Sequence, residues 1–220
     1  MDERLSAAAA LFPPVEVGAD IGANHGLLTC HLLATGKAKR MWATDLSADA
    51  LGHARRNLRA RGLDDRVTFA VGDGFSVITE PVQAAAILGM GGQTAAGIIL
   101  SAPEDRLPAF LVLSTHTELS VARRSLYERG YEIREEALVY CGGRYYVLMQ
   151  AERTPGAEMP DERTLFLGPG LMRLSTETYQ AYLRKKLSAY EPSRTPEGIR
   201  RCQWLREEAE RAAADSACSP

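Results

Sequence analysis

Short apolar runs alternate with amphipathic runs through the first 150 residues, the pattern of a parallel sheet covered by helices. The strand-like runs are 15–21, 41–44, 67–71, 84–88 and 110–113, often bounded by Gly, Asp or Pro. The clearest helix follows Ser47, an N-cap with Asp49 in the first turn. It sets Leu51, Ala54 and Leu58 on one face and Arg55, Arg56 and Arg59 on the other. A second, over 118–129, buries Leu119, Ala122 and Leu126 and stops at Gly130. Beyond it, two strand-like runs, 131–140 and 144–151, meet through Cys141-Gly142-Gly143 and read as a β-hairpin.

A dinucleotide-binding fold usually ends on another parallel unit, whereas a class I methyltransferase sheet inserts an antiparallel last strand; the hairpin favours the second by analogy of folds. Residues 153–161, rich in Thr, Pro, Gly and Glu, form a boundary. The expected division is therefore a Rossmann-like α/β domain over 1–152 and a helical arm over 162–215. In the arm, Tyr179, Leu183, Leu187 and Tyr190 form one helical stripe, and Ile199, Cys202, Leu205, Ala209 and Ala212 another. Pro192, Ser193 and Pro196 break the chain between them, which predicts an antiparallel helix pair.

Composition bounds the function classes. The 220 residues, 45% hydrophobic and 25% charged, suit one good-sized globular unit. No apolar run approaches the roughly 20 residues of a membrane span. The start Met1-Asp2-Glu3-Arg4-Leu5 is acidic where a secretory signal is basic, so a cytoplasmic protein is expected. Cysteines at 30, 141, 202 and 218 are too scattered for a disulfide scaffold or paired metal ligands, so reduced, mostly buried thiols and no metal are expected. The net charge of −2 conceals a basic stretch from Arg173 to Arg206, with eight Lys/Arg against three Glu. Solvated helix faces explain such a run as well as RNA phosphates do; Arg184, Lys185, Lys186, Arg200 and Arg201 are the candidate phosphate contacts.

Candidate chemistry lies at strand ends. Val17-Gly18-Ala19-Asp20-Ile21-Gly22-Ala23-Asn24-His25-Gly26 is a strand, a glycine-containing turn and a helix start, where backbone N–H groups meet a ligand. Asn24 replaces the middle glycine of the usual methyltransferase G-x-G-x-G and also tolerates left-handed geometry. Asp45, followed by Leu46, closes the second strand at the spacing where an acid meets the ribose diol of an adenosine cofactor. Asp20 discriminates between cofactors. S-adenosylmethionine brings an ammonium that a carboxylate attracts, while NAD brings pyrophosphate that it repels. Asp73 and Gly74 end the third strand, where methyltransferases receive the adenine amino group. Turn formers and N-caps would explain each acid singly, but the three together poorly.

Gly89-Met90-Gly91-Gly92 follows the fourth strand, where the acceptor meets the methyl group in this fold class. With it the chain resembles the bacterial tRNA (adenine-22-N1)-methyltransferases. The resemblance runs from the opening Glu3-Arg4-Leu5 helix through Asp20-Ile21-Gly22-Ala23-Asn24-His25 and Gly89-Met90-Gly91-Gly92. It continues through Gly143-Arg144-Tyr145-Tyr146 to Leu165-Phe166-Leu167-Gly168-Pro169 and the helical carboxy-terminal extension. Asn24 stands where that family usually has Asp, Gly26 where it has Ala, and Leu113-Ser114-Thr115-His116 where it reads Leu-Gln-Pro-Asn.

The resemblance implies S-adenosylmethionine-dependent methylation of adenine N1 in tRNA, by a monomer or a homodimer. It implies a cofactor site of Asp20, Gly22, Asn24, His25, Asp45, Leu46, Asp73, Gly74, Gly89, Met90 and Gly91. Met90, His25 and His116 are the candidate catalytic residues, at the acceptor. The altered 114–116 segment leaves open another RNA base or a small acceptor, with the arm as a dimerisation element. An NAD-dependent oxidoreductase would leave Asp20, Asp73 and the Gly-Met-Gly-Gly string unexplained. A non-catalytic RNA-binding module is the remaining alternative.

Overall fold

The computed structural model describes residues 2–217. Seven strands form one sheet: β1 (Val15–Ile21), β2 (Ala38–Asp45), β3 (Val67–Val71), β4 (Ala84–Met90), β5 (Phe110–Thr115), β6 (Tyr131–Cys141) and β7 (Arg144–Arg153), in the order β3-β2-β1-β4-β5-β7-β6. The first five pair in parallel and β7 enters antiparallel between β5 and β6. This is the sheet expected of a class I methyltransferase. The hairpin that makes it possible turns on Gly142 and Gly143, both with positive φ, as a two-residue turn with the strand twist requires.

Alternating side chains divide the core between the faces of the sheet. Ala84, Ala86, Val112 and Leu148 face a layer built from α1 (Glu3–Leu11), α2 (Leu27–Ala34) and α3 (Ala48–Arg59). Ala85, Ile87, Leu111 and Leu113 face α4 (Gly92–Ser101) and α5 (Leu119–Glu128). The same apolar cluster continues without a break into α6 (Glu162–Leu167), α7 (Glu177–Tyr190) and α8 (Pro196–Ala217) through Leu165, Phe166, Leu171, Tyr179, Leu183 and Leu205.

α7 and α8 run antiparallel: Tyr179 donates to Glu208 at 3.0 Å near one end, and Arg201 lies against the Tyr190 hydroxyl at 3.5 Å near the other. The α8 stripe needs one correction, because Ile199 is 56% exposed. It stands in the first turn of α8, past the loop that follows α7. Leu119 is half-buried where a core position was expected. Cys30 and Cys202 are buried and Cys141 is half-buried in the hairpin; Cys218 lies outside the described residues. No helix among the described residues is long and apolar enough to cross a membrane.

Candidate active site

The strand order reverses between β1 and β4, and open α/β sheets bind ligands in the crevice beyond the strand ends at that point. Two cavities occupy it here. One, of about 520 Å³, is lined by Arg4, Asp20, Gly22, Asn24, His25, Asp45, Gly89, Met90 and His116 among others. The other, of about 540 Å³, is lined by Asp45, Leu46, Asp73, Gly74, Ile98 and others. Both include Gly22, Asp45 and Met90, so they are two halves of one elongated trough. Asp20, Asp45 and Asp73 thus mark its length, as three successive strand ends suggested.

Each carboxylate has its own setting. Asp20 is 4% exposed and its Oδ2 accepts from Thr29 Oγ1 at 2.8 Å. No cationic side chain pairs with it among the described residues, and burial pushes its carboxyl up to about 6. Asp45 accepts the backbone N–H of Asn24 at 3.1 Å on one oxygen and that of Ser47 at 2.9 Å on the other. It therefore ties the glycine turn to the start of α3 and lines both halves of the trough. Asn24 sits at φ 48, the left-handed conformation its side chain tolerates. Asp73 is exposed beside Gly74 at the far end.

The acceptor end is shaped by a break in β4. The β4–β5 register shifts between Leu88 and Met90, and Gly89 is the odd residue, at φ 77. Such a bulge re-aims the next side chain; here Met90 rejoins the strand pairing opposite Thr115, and its carbonyl accepts the His116 N–H at 3.0 Å. A Cβ on Gly89 would approach His116 Nε2 to 3.9 Å, so His116 and the bulge share one wall. Gly91 lies outside both halves of the trough: it is the N-cap of α4 and packs beside Thr117. Ser114 and Thr115 are buried in β5, leaving His116 as the member of that segment in the trough.

Among the lining residues outside the predicted set are Ile98 and Thr94 of α4 and, the one with a charge, Arg4. Arg4 of α1 lines the cavity that holds Asp20 and lies over the Tyr146 ring at 5.3 Å, the ring that also packs on His116. It stands in an amphipathic helix far from any strand-end motif, and only the resemblance over Glu3-Arg4-Leu5 could have signalled it.

The arm residues divide. Arg184 and Lys185 are exposed, with the Lys185 ammonium over Tyr145. Arg200 pairs with Glu162 at 3.2 Å and lies over Trp204. Lys186 and Arg201 turn inward, toward a further cavity that also touches His116.

The trough suits S-adenosylmethionine. Asp20, buried without a cation, fits an ammonium; Asp45, already held by two backbone donors, fits a diol; and Leu46, 73% exposed, with Ile98 offers apolar surface for a flat base. Sheet order and trough together define a class I, Rossmann-like methyltransferase. The methyltransferase-domain family model matches residues 1–149, and the chain belongs to that family. A tRNA (adenine(22)-N(1))-methyltransferase of Bacillus subtilis is 30% identical over 155 residues, 69% of this chain and 65% of that protein, so the match spans just under two thirds of the relative. Two solved structures share the fold nearly end to end. M. capricolum TrmK with S-adenosyl-homocysteine gives a TM-score of 0.84 at 20% identity, over 96% of this chain and 98% of that one. The B. subtilis m1A22 tRNA methyltransferase TrmK gives 0.77 at 24%, over 98% of each.

Proposed function

We propose that the protein transfers a methyl group from S-adenosylmethionine to N1 of an adenine in tRNA, at the position numbered 22 in its B. subtilis relative. The observation that carries the cofactor part is Asp20, a buried carboxylate that lines the trough with no cationic partner among the described residues. The named relative supports the acceptor part.

When bound, the cofactor supplies an electrophilic methyl on sulfonium. Asp20 would hold the ammonium, Arg4, which lines the same cavity, would meet the carboxylate, Asp45 would accept from the ribose hydroxyls and Asp73 from the adenine amino group. Charge-assisted bonds of this kind fix orientation as well as contribute affinity. Adenine N1 carries an in-plane lone pair, so the protein needs no strong base. Its task is alignment and exclusion of water. Met90, the Gly89 bulge, His25 and His116 border the acceptor end and guide the base edge. A base within a paired arm must first leave its stack, at a cost of a few kcal/mol.

Acting on tRNA, the protein works in the cytoplasm. One chain supplies every group named, so a monomer suffices; a homodimer formed through the helical arm is the other state consistent with this reading.

The test is nucleoside mass spectrometry of bulk tRNA incubated with the protein and labelled S-adenosylmethionine, with an A22-substituted transcript as control. The expected product is 1-methyladenosine, absent from the control. Label in another base, or in a small acceptor alone, would overturn the assignment.

A further inference from the structure

Beyond His116 the trough meets a third cavity, of about 470 Å³, between the turn after β5 and the C-terminal helices. Its walls differ from those of the cofactor trough. Their one acid is Glu118, in the turn after β5; they bring together His116, Tyr145, Phe166, Tyr182, Lys186 and Arg201. The size is that of a site for one small ligand, and the chemistry is aromatic and cationic.

Lys186 is the decisive residue. Its ammonium lies over the Phe166 ring at 4.3 Å and 5.4 Å from that of Tyr182, with no carboxylate within ion-pair distance among the described residues. The Arg201 guanidinium lies 5.0 Å from the same Phe166 ring, and its charge is shared with Glu197. Buried Arg123 stands behind, its charge committed to Glu136 at 2.8 Å. Glu118, at the rim, turns to Gln93. Burial, followed by the charges of Arg123 and Arg201, pushes the Lys186 ammonium down to about 7. Glu136, already paired with Arg123, offsets this only in part, and a phosphate in the cavity would hold Lys186 in its charged form.

We propose that this cavity holds one nucleotide of the substrate RNA, adjoining the one methylated, with its phosphate on Lys186 and Arg201 and its base against Tyr145. The proposal rests on the reading that RNA is the substrate. The methylated base must lie on the trough side of His116, where Gly89 and Met90 border the methyl position. The next unit of the same strand then falls on the far side, in the cavity that shares His116. Unpaired RNA is held in this manner by aromatic faces for bases and cations for phosphates.

Lys186→Met, Lys186→Arg, Tyr145→Ala and Tyr145→Phe should be compared with the parent for tRNA binding over a salt series, for methylation and for cofactor affinity. Lys186→Met should weaken tRNA binding roughly 10-fold and lower the log–log salt slope by about 0.7–0.9, while Lys186→Arg restores both. Tyr145→Ala should weaken binding at least about 5-fold, and Tyr145→Phe should not. S-adenosylmethionine affinity should be equal in all five. Thermal melts check folding, and Lys186→Met, which removes a desolvated charge, should melt no lower than the parent.

A Lys186→Met protein with the parent's tRNA affinity and salt slope overturns the proposal whatever the methylation result. Adenosine monophosphate binding the parent as tightly as tRNA does, in a Lys186-dependent way, also overturns it, by assigning the cavity to a free nucleotide. A parent that binds tRNA through Lys186 yet leaves adenine N1 unmethylated removes the adenine-N1 reading and upholds this one.

Discussion

Asp20 shows how a residue can be costly to the free protein and useful to the bound one. Its carboxyl titrates near 6 in the fold against 3.8 in the unfolded chain, so between those values the native state holds a proton that the unfolded state has released. Stability therefore falls as pH rises through that window, and above pH 6 the penalty reaches roughly 3 kcal/mol at about 1.4 kcal/mol per unit. Asp20→Asn keeps an acceptor for Thr29 and removes the charge. Without cofactor it should melt several degrees above the parent at pH 7.5, at about 2–4 °C per kcal/mol for a chain of this size, and the gap should narrow toward pH 5. Calorimetry should show the opposite order for binding. The parent should gain affinity for S-adenosylmethionine from pH 5 to 7, as the carboxylate forms to meet the ammonium. Asp20→Asn should stay flat and bind about 10- to 150-fold more weakly at pH 7. An Asn variant as weak at pH 5 as at pH 7, beside a parent equally flat, would remove Asp20 from the ammonium.

At the scale of elements, the loop after β4 is held by the turn after β5. The Gly92 N–H donates to the Thr117 carbonyl at 3.1 Å, and a Cβ on Gly92 would press into that turn, 2.7 Å from the same oxygen and closer still to the Glu118 carbonyl. Glu118 is already at φ 51, a conformation that non-glycine residues rarely adopt, so the turn has little freedom to retreat. Gly92→Ala should destabilise by about 1–3 kcal/mol. It should also lower the methylation rate more than cofactor affinity, because the displaced turn carries His116; melting curves and steady-state kinetics check both. The need for this glycine arises from a contact between two loops about 25 residues apart, which the sequence presented only as a string of glycines.

Other elements divide along the same physical line. Apolar runs disclosed β1 and β3 to the residue, because chain breakers or a charge bound them: Pro14 and Gly22 for β1, Arg66 and Gly72 for β3. β2 begins three residues earlier than its apolar run, since backbone pairing carries Lys39 and Arg40 along regardless of their side chains. β4 outlasts its run because the Gly89 bulge interrupts the strand without ending it. The three strand-end acids were legible because sheet topology places such positions together. Arg4 and the Lys186 cavity were not, because α1 reaches the trough, and α7 the cavity beyond it, by packing, and packing partners leave no spacing in the chain.

For the whole molecule, the question is whether sheet and C-terminal helices stand or fall together. A buried pair joins them. Arg123 of α5 and Glu136 of β6 are fully shielded from solvent, their side chains 2.8 Å apart. Arg123 also donates to the carbonyls of Leu165 and Phe166, at 2.8 and 3.2 Å, and Glu136 accepts from the N–H groups of Gly170 and Leu171, at 2.8 and 3.1 Å. The pair thus clasps the end of α6 and the following turn against the sheet, beside an apolar cluster common to both parts. Removing one partner strands the other charge in the core, at about 3–5 kcal/mol, whereas removing both charges strands neither. Arg123→Met and Glu136→Gln should each lower the melting temperature by roughly 10 °C. The double variant, in which the amide introduced by Glu136→Gln still accepts from the turn, should lose clearly less than the two single losses together. Because the core is continuous, each variant should melt in one transition, with sheet and helices losing hydrogen-exchange protection together. Proteolysis that released residues 162–217 and left a folded, cofactor-binding sheet would instead establish the helical arm as a separable unit. That outcome would confine the clasp to docking it.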